Sequence, residues 1–167
     1  MAPATVGMSA KRLETIDRVV TRGIKAGGFP GASVVVGRKG AAVWEKGFGR
    51  IDWSVKSSRV SATETIYDLA SLTKVIGTTT AVMILFDEGR IKLDAPVVTY
   101  LPEFTGGYKD SVTVRQLLEH RSGLPADIDL WRLAHSPAEA RQMVLNAPLE
   151  CKPGVCYIYS DLGAITL

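Results

Sequence analysis

Ser71 and Lys74, in the stretch YDLASLTKVIGTTTAVMILFDEG (67–89), are spaced for nucleophilic chemistry. Residues three apart on a helix share a face, with Cβ atoms about 5–6 Å apart, so the hydroxyl and the amine can meet. A serine hydroxyl is a poor nucleophile at neutral pH, and an amine can take its proton only while the amine is itself neutral. Burial among apolar groups lowers a lysine pKa by disfavouring the charged form. Leu72, Val75 and Ile76 are expected to supply that setting, in a helix expected to be buried. A helix start also offers free N–H groups where a reacting carbonyl oxygen would gain charge. The plainer reading stands beside this one: one Ser-x-x-Lys match is about what composition gives, Ser71 can cap the helix, and Lys74 can snorkel to solvent. A Ser-His-Asp triad competes less well. Only His120 and His135 could serve as its base, and no G-x-S-x-G elbow occurs. His120 is expected to pack a loop.

The elements that must position these residues can be read from periodicity and punctuation. Residues 9–26 form an amphipathic helix pattern through Leu13, Ile16, Val19, Val20 and Ile24, closed by Gly27-Gly28. Two strand-like runs, 32–38 and 41–50, joined by Lys39-Gly40, predict a hairpin. After an aperiodic polar segment, 52–65, the chain turns helical over 71–88 (ended by Gly89), 112–119, and 136–145, the last opened by Ser136 and Pro137. The final apolar run, 162–167, starts behind capping residues and ends without a breaker, and a lone hairpin is marginal by itself. More strands are therefore expected downstream. The expected organisation is a helix and hairpin in 1–53 and a mostly helical part in 54–167.

Composition narrows the classes. A net charge of +3, with basic residues dispersed among nearly as many acids, leaves no basic stripe for nucleic acid. The longest apolar stretch, 75–86, falls short of the roughly 20 residues that span a bilayer. The first twenty residues hold no charged leader followed by an apolar run, so the compartment is left open. Cys151 and Cys156, flanking Pro153-Gly154, lack the further ligands a zinc site needs; their spacing allows a disulfide, with free thiols favoured.

Three segments together carry a resemblance. YDLASLTKVIGTT, LLEHRSGLP and KPGVCYIYSDLG are similar, in order and separation, to motifs of the serine β-lactamase and penicillin-binding protein superfamily, in its class C β-lactamase-like branch. The resemblance implies an α+β fold, with a short antiparallel sheet beside a helix cluster, cut before its C-terminal strands. It implies Ser71 as the acylated nucleophile, Lys74 as its proton acceptor, and Tyr159 as the phenol that exchanges protons with nucleophile and leaving group. Asp161 stands where the family often has Asn; a carboxylate only accepts hydrogen bonds, so it would hold Lys74 charged or cap the last helix. The Lys-Thr-Gly or His-x-Gly strand that supplies a second oxyanion donor does not occur in the sequence.

The expected activity is hydrolysis of a β-lactam through an acyl-enzyme, with no metal or cofactor. A carboxylesterase, a D-aminopeptidase or a catalytically dead penicillin-binding fragment are the alternatives. The expected partners are a small β-lactam or ester substrate, and a second copy or a complementing C-terminal fragment.

Overall fold

A computed structural model describes all 167 residues. Internal contacts divide the chain into two units, Met1–Asp68 and Leu69–Leu167.

In the first unit the expected single helix is two, α1 (Ala10–Leu13) and α2 (Thr15–Lys25). Ser9 caps α1 by accepting the Arg12 N–H at 3.3 Å, and Thr15 Oγ1 donates to the Arg12 carbonyl at 2.7 Å, closing the chain locally at the joint. Strands β1 (Gly31–Arg38) and β2 (Ala41–Gly49) pair antiparallel from Gly31↔Gly49 to Arg38↔Ala41. Their turn places Lys39 and Gly40 at φ 53° and 74°, the doubly left-handed geometry that matches strand twist. Val6, Leu13 and Val43 form the small core, with Met8, Ile16, Val36 and Trp44 packed on it. Residues 54–68, expected with the helical part, belong to this unit instead. The Ile51 N–H donates to the Ser58 carbonyl and the Val60 N–H to the Gly49 carbonyl, at 3.0 and 3.2 Å, folding the segment back onto the hairpin. Gly47 permits that approach: a Cβ there would lie 2.1 Å from the Val60 carbonyl oxygen.

The second unit is helical around Val97, Phe104, Val112, Leu117, Leu124, Val144, Leu145 and Leu162. Helix α3 (Thr80–Asp87) is preceded by a π-helical turn, Lys74–Thr79, and is followed by Gly89 at φ 70°. Helix α4 (Val114–Leu118) opens with a reciprocal Thr113–Gln116 capping box. Then come α5 (Leu130–Leu133), α6 (Pro137–Asn146, capped by Ser136) and α7 (Asp161–Thr166, capped by Ser160). No helix is long and apolar enough to cross a membrane.

Two expectations are corrected. The helix carrying Ser71 is not buried: Leu72, Val75 and Ile76 are 56, 55 and 57% exposed, and Val82 is the buried residue of α3. Periodicity cannot separate an apolar helix that is covered from one whose cover is absent. Cys151 and Cys156 are not free thiols but a disulfide, because the Pro153-Gly154 turn brings their Cα atoms to 6.5 Å.

Candidate active site

The site is built where two short segments of the second unit meet. The first is the entry to the Ser71 helix, a tight turn in which the amides of Leu72, Thr73 and Lys74 donate to the carbonyls of Leu69, Ala70 and Ser71 at 2.9–3.1 Å. Ala70 sits at φ 44°, a left-handed conformation costly for a residue with a Cβ, immediately before the serine. Beyond it, Thr79 and Thr80 hydroxyls donate to the carbonyls of Lys74 and Val75 at 2.8 and 3.2 Å, supporting the widened π turn. Such turns concentrate at functional sites.

The second segment, 158–161, is clamped to the loop that follows α4. The Ile158 N–H donates to the His120 carbonyl at 2.9 Å, and the Asp161 N–H to the Ala126 carbonyl at 2.8 Å. Ser160 is fully buried; its hydroxyl donates to the Pro125 carbonyl at 2.6 Å and accepts the Gly163 N–H at 3.0 Å. Ser160, rather than Asp161, is therefore the cap of α7, which leaves the Asp161 carboxylate free to turn toward Lys74.

The four expected residues, Ser71, Lys74, Tyr159 and Asp161, come together. Lys74 Nζ donates to Ser71 Oγ at 3.1 Å, lies 2.6 Å from Asp161 Oδ1, and stands 5.0 Å from the centre of the Tyr159 ring. The hydrogen bond that Lys74 donates to Asp161 raises the Lys74 pKa above its usual value, outweighing partial burial. This reverses the expected dry, neutral amine: the apolar neighbours are exposed and a carboxylate has taken their place. Hydrogen bonds to Ser71 and then to Lys74 lower the Tyr159 phenol pKa. Lysine thus favours its charged form and tyrosine loses its proton more readily. The pair can draw a proton from Ser71 toward the phenol, with the ammonium stabilising the negative charge.

A cavity of about 450 Å³ opens beside the serine, lined by Ala70, Ser71, Thr73, Lys74, Asp161 and Ile165 among others, room for a small acyl donor. No cluster of three or more His, Cys, Asp or Glu side chains converges on a metal-sized site.

His120 was expected only to pack a loop, yet its Nδ1 accepts the Ser160 N–H at 3.1 Å and its ring lies 4.6 Å from that of Tyr159. The signal available in the sequence was its place in LLEHRSGLP, where the helix ends; its distance along the chain from Tyr159 hid the contact.

Residues 16–167 match the profile of a family described as Beta-lactamase. Among curated relatives, an N-acetylmuramyl-L-alanine amidase of Bacillus subtilis is 29% identical over 98% of this chain and 41% of its own length. Among solved structures, a class C β-lactamase superposes with a TM-score of 0.77 at 23% identity, over 92% of this chain and 41% of that one. An octameric penicillin-binding protein homologue from Pyrococcus abyssi gives 0.74 at 26% identity, over 92% of this chain and 37% of that one. The chain thus spans about two fifths of the length of the proteins it matches.

Proposed function

We propose, for a chain that belongs to the β-lactamase family, that it is a serine acyl hydrolase in which Ser71 attacks a β-lactam carbonyl and carries the acyl group until water removes it. The observation that carries this reading is the 3.1 Å contact between Lys74 Nζ and Ser71 Oγ, within a network that also holds Tyr159 and Asp161.

In the proposed step the Tyr159 phenolate takes the Ser71 proton as Oγ bonds to the carbonyl carbon, and the C=O π electrons move onto oxygen. When the C–N bond breaks, the electron pair returns to the carbonyl and Tyr159 passes its proton to the leaving nitrogen. Water then adds to the ester carbonyl as the Tyr159 phenolate takes its proton, and when the C–Oγ bond breaks Tyr159 returns that proton to Ser71 Oγ, releasing the acid. Lys74 stays charged throughout; its role is electrostatic, in place of the proton acceptor expected from sequence. The helix-entry amides are candidate oxyanion donors. The amide-cleaving description of the Bacillus subtilis relative supports an amide-like substrate. The octameric homologue supports assembly with further copies as part of the proposal.

Incubation with a chromogenic cephalosporin, and separately with a p-nitrophenyl ester, tests the substrate class. The expected result is acylation by the cephalosporin. Ester turnover with no cephalosporin reaction would select the carboxylesterase or D-aminopeptidase alternative. Inertness toward both would leave a catalytically dead module.

A further inference from the structure

Helix α4 ends in a Schellman turn: the Arg121 N–H donates to the Gln116 carbonyl at 2.7 Å and the His120 N–H to the Leu117 carbonyl at 3.2 Å. That pattern puts His120 at the left-handed position after the helix, φ 56°, where glycine is the usual residue because a Cβ there is costly. The imidazole held in this conformation makes two contacts with the catalytic segment. Nδ1 accepts the amide proton of buried Ser160 at 3.1 Å, and the ring packs on Tyr159 at 4.6 Å, tilted by 44°. An imidazole nitrogen can accept only when it carries no proton, so this contact requires the neutral Nε2–H tautomer.

We infer that His120 is a positioning residue: as the neutral Nε2–H tautomer it holds Ser160 and the Tyr159 ring in register with Ser71, and uptake of a proton at Nδ1 releases them. This inference rests on the proposed chemistry of Ser71. The groups that face the imidazole are Lys74 from the Ser71 helix, and Tyr157, Tyr159 and Asp161 from the segment leading into α7. Partial burial and the Lys74 charge both push the His120 pKa below its ordinary value, and Asp161 opposes them. The neutral form therefore prevails at neutral pH, and the anchor fails as pH falls through the lowered midpoint. A proton on Nδ1 would turn an acceptor into a donor aimed at an amide donor, beside an ammonium already held charged.

The experiment uses the whole chain and two kinds of readout. Nitrogen-15 spectra of the histidines, recorded from neutral to acid pH, are expected to show His120 as the Nε2–H tautomer with a midpoint below the usual histidine value. Ultraviolet titration of the phenols, with Tyr159→Phe identifying the Tyr159 contribution, is expected to show a higher Tyr159 midpoint in His120→Gly. That variant removes the ring and leaves the residue the backbone prefers. His120→Asn tolerates the left-handed conformation and offers a carbonyl acceptor that does not titrate. Acylation by a fluorophosphonate is expected to fall roughly 10²-fold in His120→Gly, to recover partly in His120→Asn, and to lose its histidine-linked acid limb in both. An Nδ1–H tautomer in the wild type would overturn the inference, as would a Tyr159 midpoint unmoved in His120→Gly. Failure of the wild type to be acylated would count against the Ser71 chemistry alone, since tautomer and phenol titration are read without turnover.

Discussion

Lys74 reaches both a hydroxyl and a carboxylate, and the carboxylate decides its charge. The lysine pKa is raised, so the ammonium persists toward alkaline pH, while the lowered Tyr159 pKa makes the phenol the group that gains and loses protons. Acylation is therefore expected to weaken as pH falls through the Tyr159 midpoint, which a pH profile of the fluorophosphonate reaction checks. Asp161 raises the Tyr159 pKa by repelling the phenolate. Asp161→Asn should lower that midpoint further and speed acylation near neutrality, by up to about tenfold per pKa unit. The stability contribution of the Lys74–Asp161 pair has the opposite pH sense. Its raised folded lysine pKa stabilises below the unfolded value and is lost as pH rises through the folded one. With Asp161 half exposed the pair is worth about 1 kcal/mol or less. Lys74→Ala and Tyr159→Phe should each slow acylation strongly, and the double variant should be little worse than the poorer single one if they work as a unit. Rates that multiply would separate them. The spacing of Ser71 and Lys74 was legible in the sequence because it is local. The charge of Lys74 was left between two readings, a dry neutral amine and an ammonium held by Asp161, because Asp161 lies far along the chain and could equally have capped the last helix.

At the scale of elements, the site depends on a loop that holds segment 158–161 in place. Gly123, at φ 86°, lies where an added Cβ would come 2.2 Å from the Cys151 carbonyl oxygen. The Glu150 N–H donates to the Gly123 carbonyl and the Gly154 N–H to the Arg121 carbonyl, each at 2.8 Å, so the disulfide loop is laced to the loop after α4. Gly123→Ala should cost about 1–3 kcal/mol from backbone conformation alone, with the clash in addition. Urea unfolding measures it, and a loss below about 0.5 kcal/mol would show that the loop shifts freely. Local chemistry made part of this architecture readable: Ser136 with Pro137 and Lys39-Gly40 in the hairpin mark local hydrogen bonds, whereas the Thr113–Gln116 capping box was passed over and α4 starts at Val114 instead of 112. The π turn and the break before Thr15 were not readable, since both arise from threonine hydroxyls competing for nearby carbonyls, and apolar periodicity is blind to that competition.

Across the whole molecule, apolar surface stays open. Val75, Ile76, Met83, Ile84 and Phe86 are each more than half exposed, and the sheet of the first unit has two strands, with β1 at one edge. The hairpin was plain from its turn, but nothing local in the sequence states what covers a strand edge or a helix face. Such surfaces are costly in water and favour association. Size-exclusion chromatography with light scattering is expected to give a mass above the 18.0 kDa of one chain, and a complementary C-terminal fragment should compete for the same surface. A strictly monomeric, folded species at high micromolar concentration would refute that expectation. The covalent role of Ser71 is tested most directly by intact-mass and peptide-mapping analysis after incubation with a fluorophosphonate. One adduct on the peptide containing Ser71, absent in Ser71→Ala, is the expected result. No adduct on the wild-type chain, or one that survives Ser71→Ala, would contradict it.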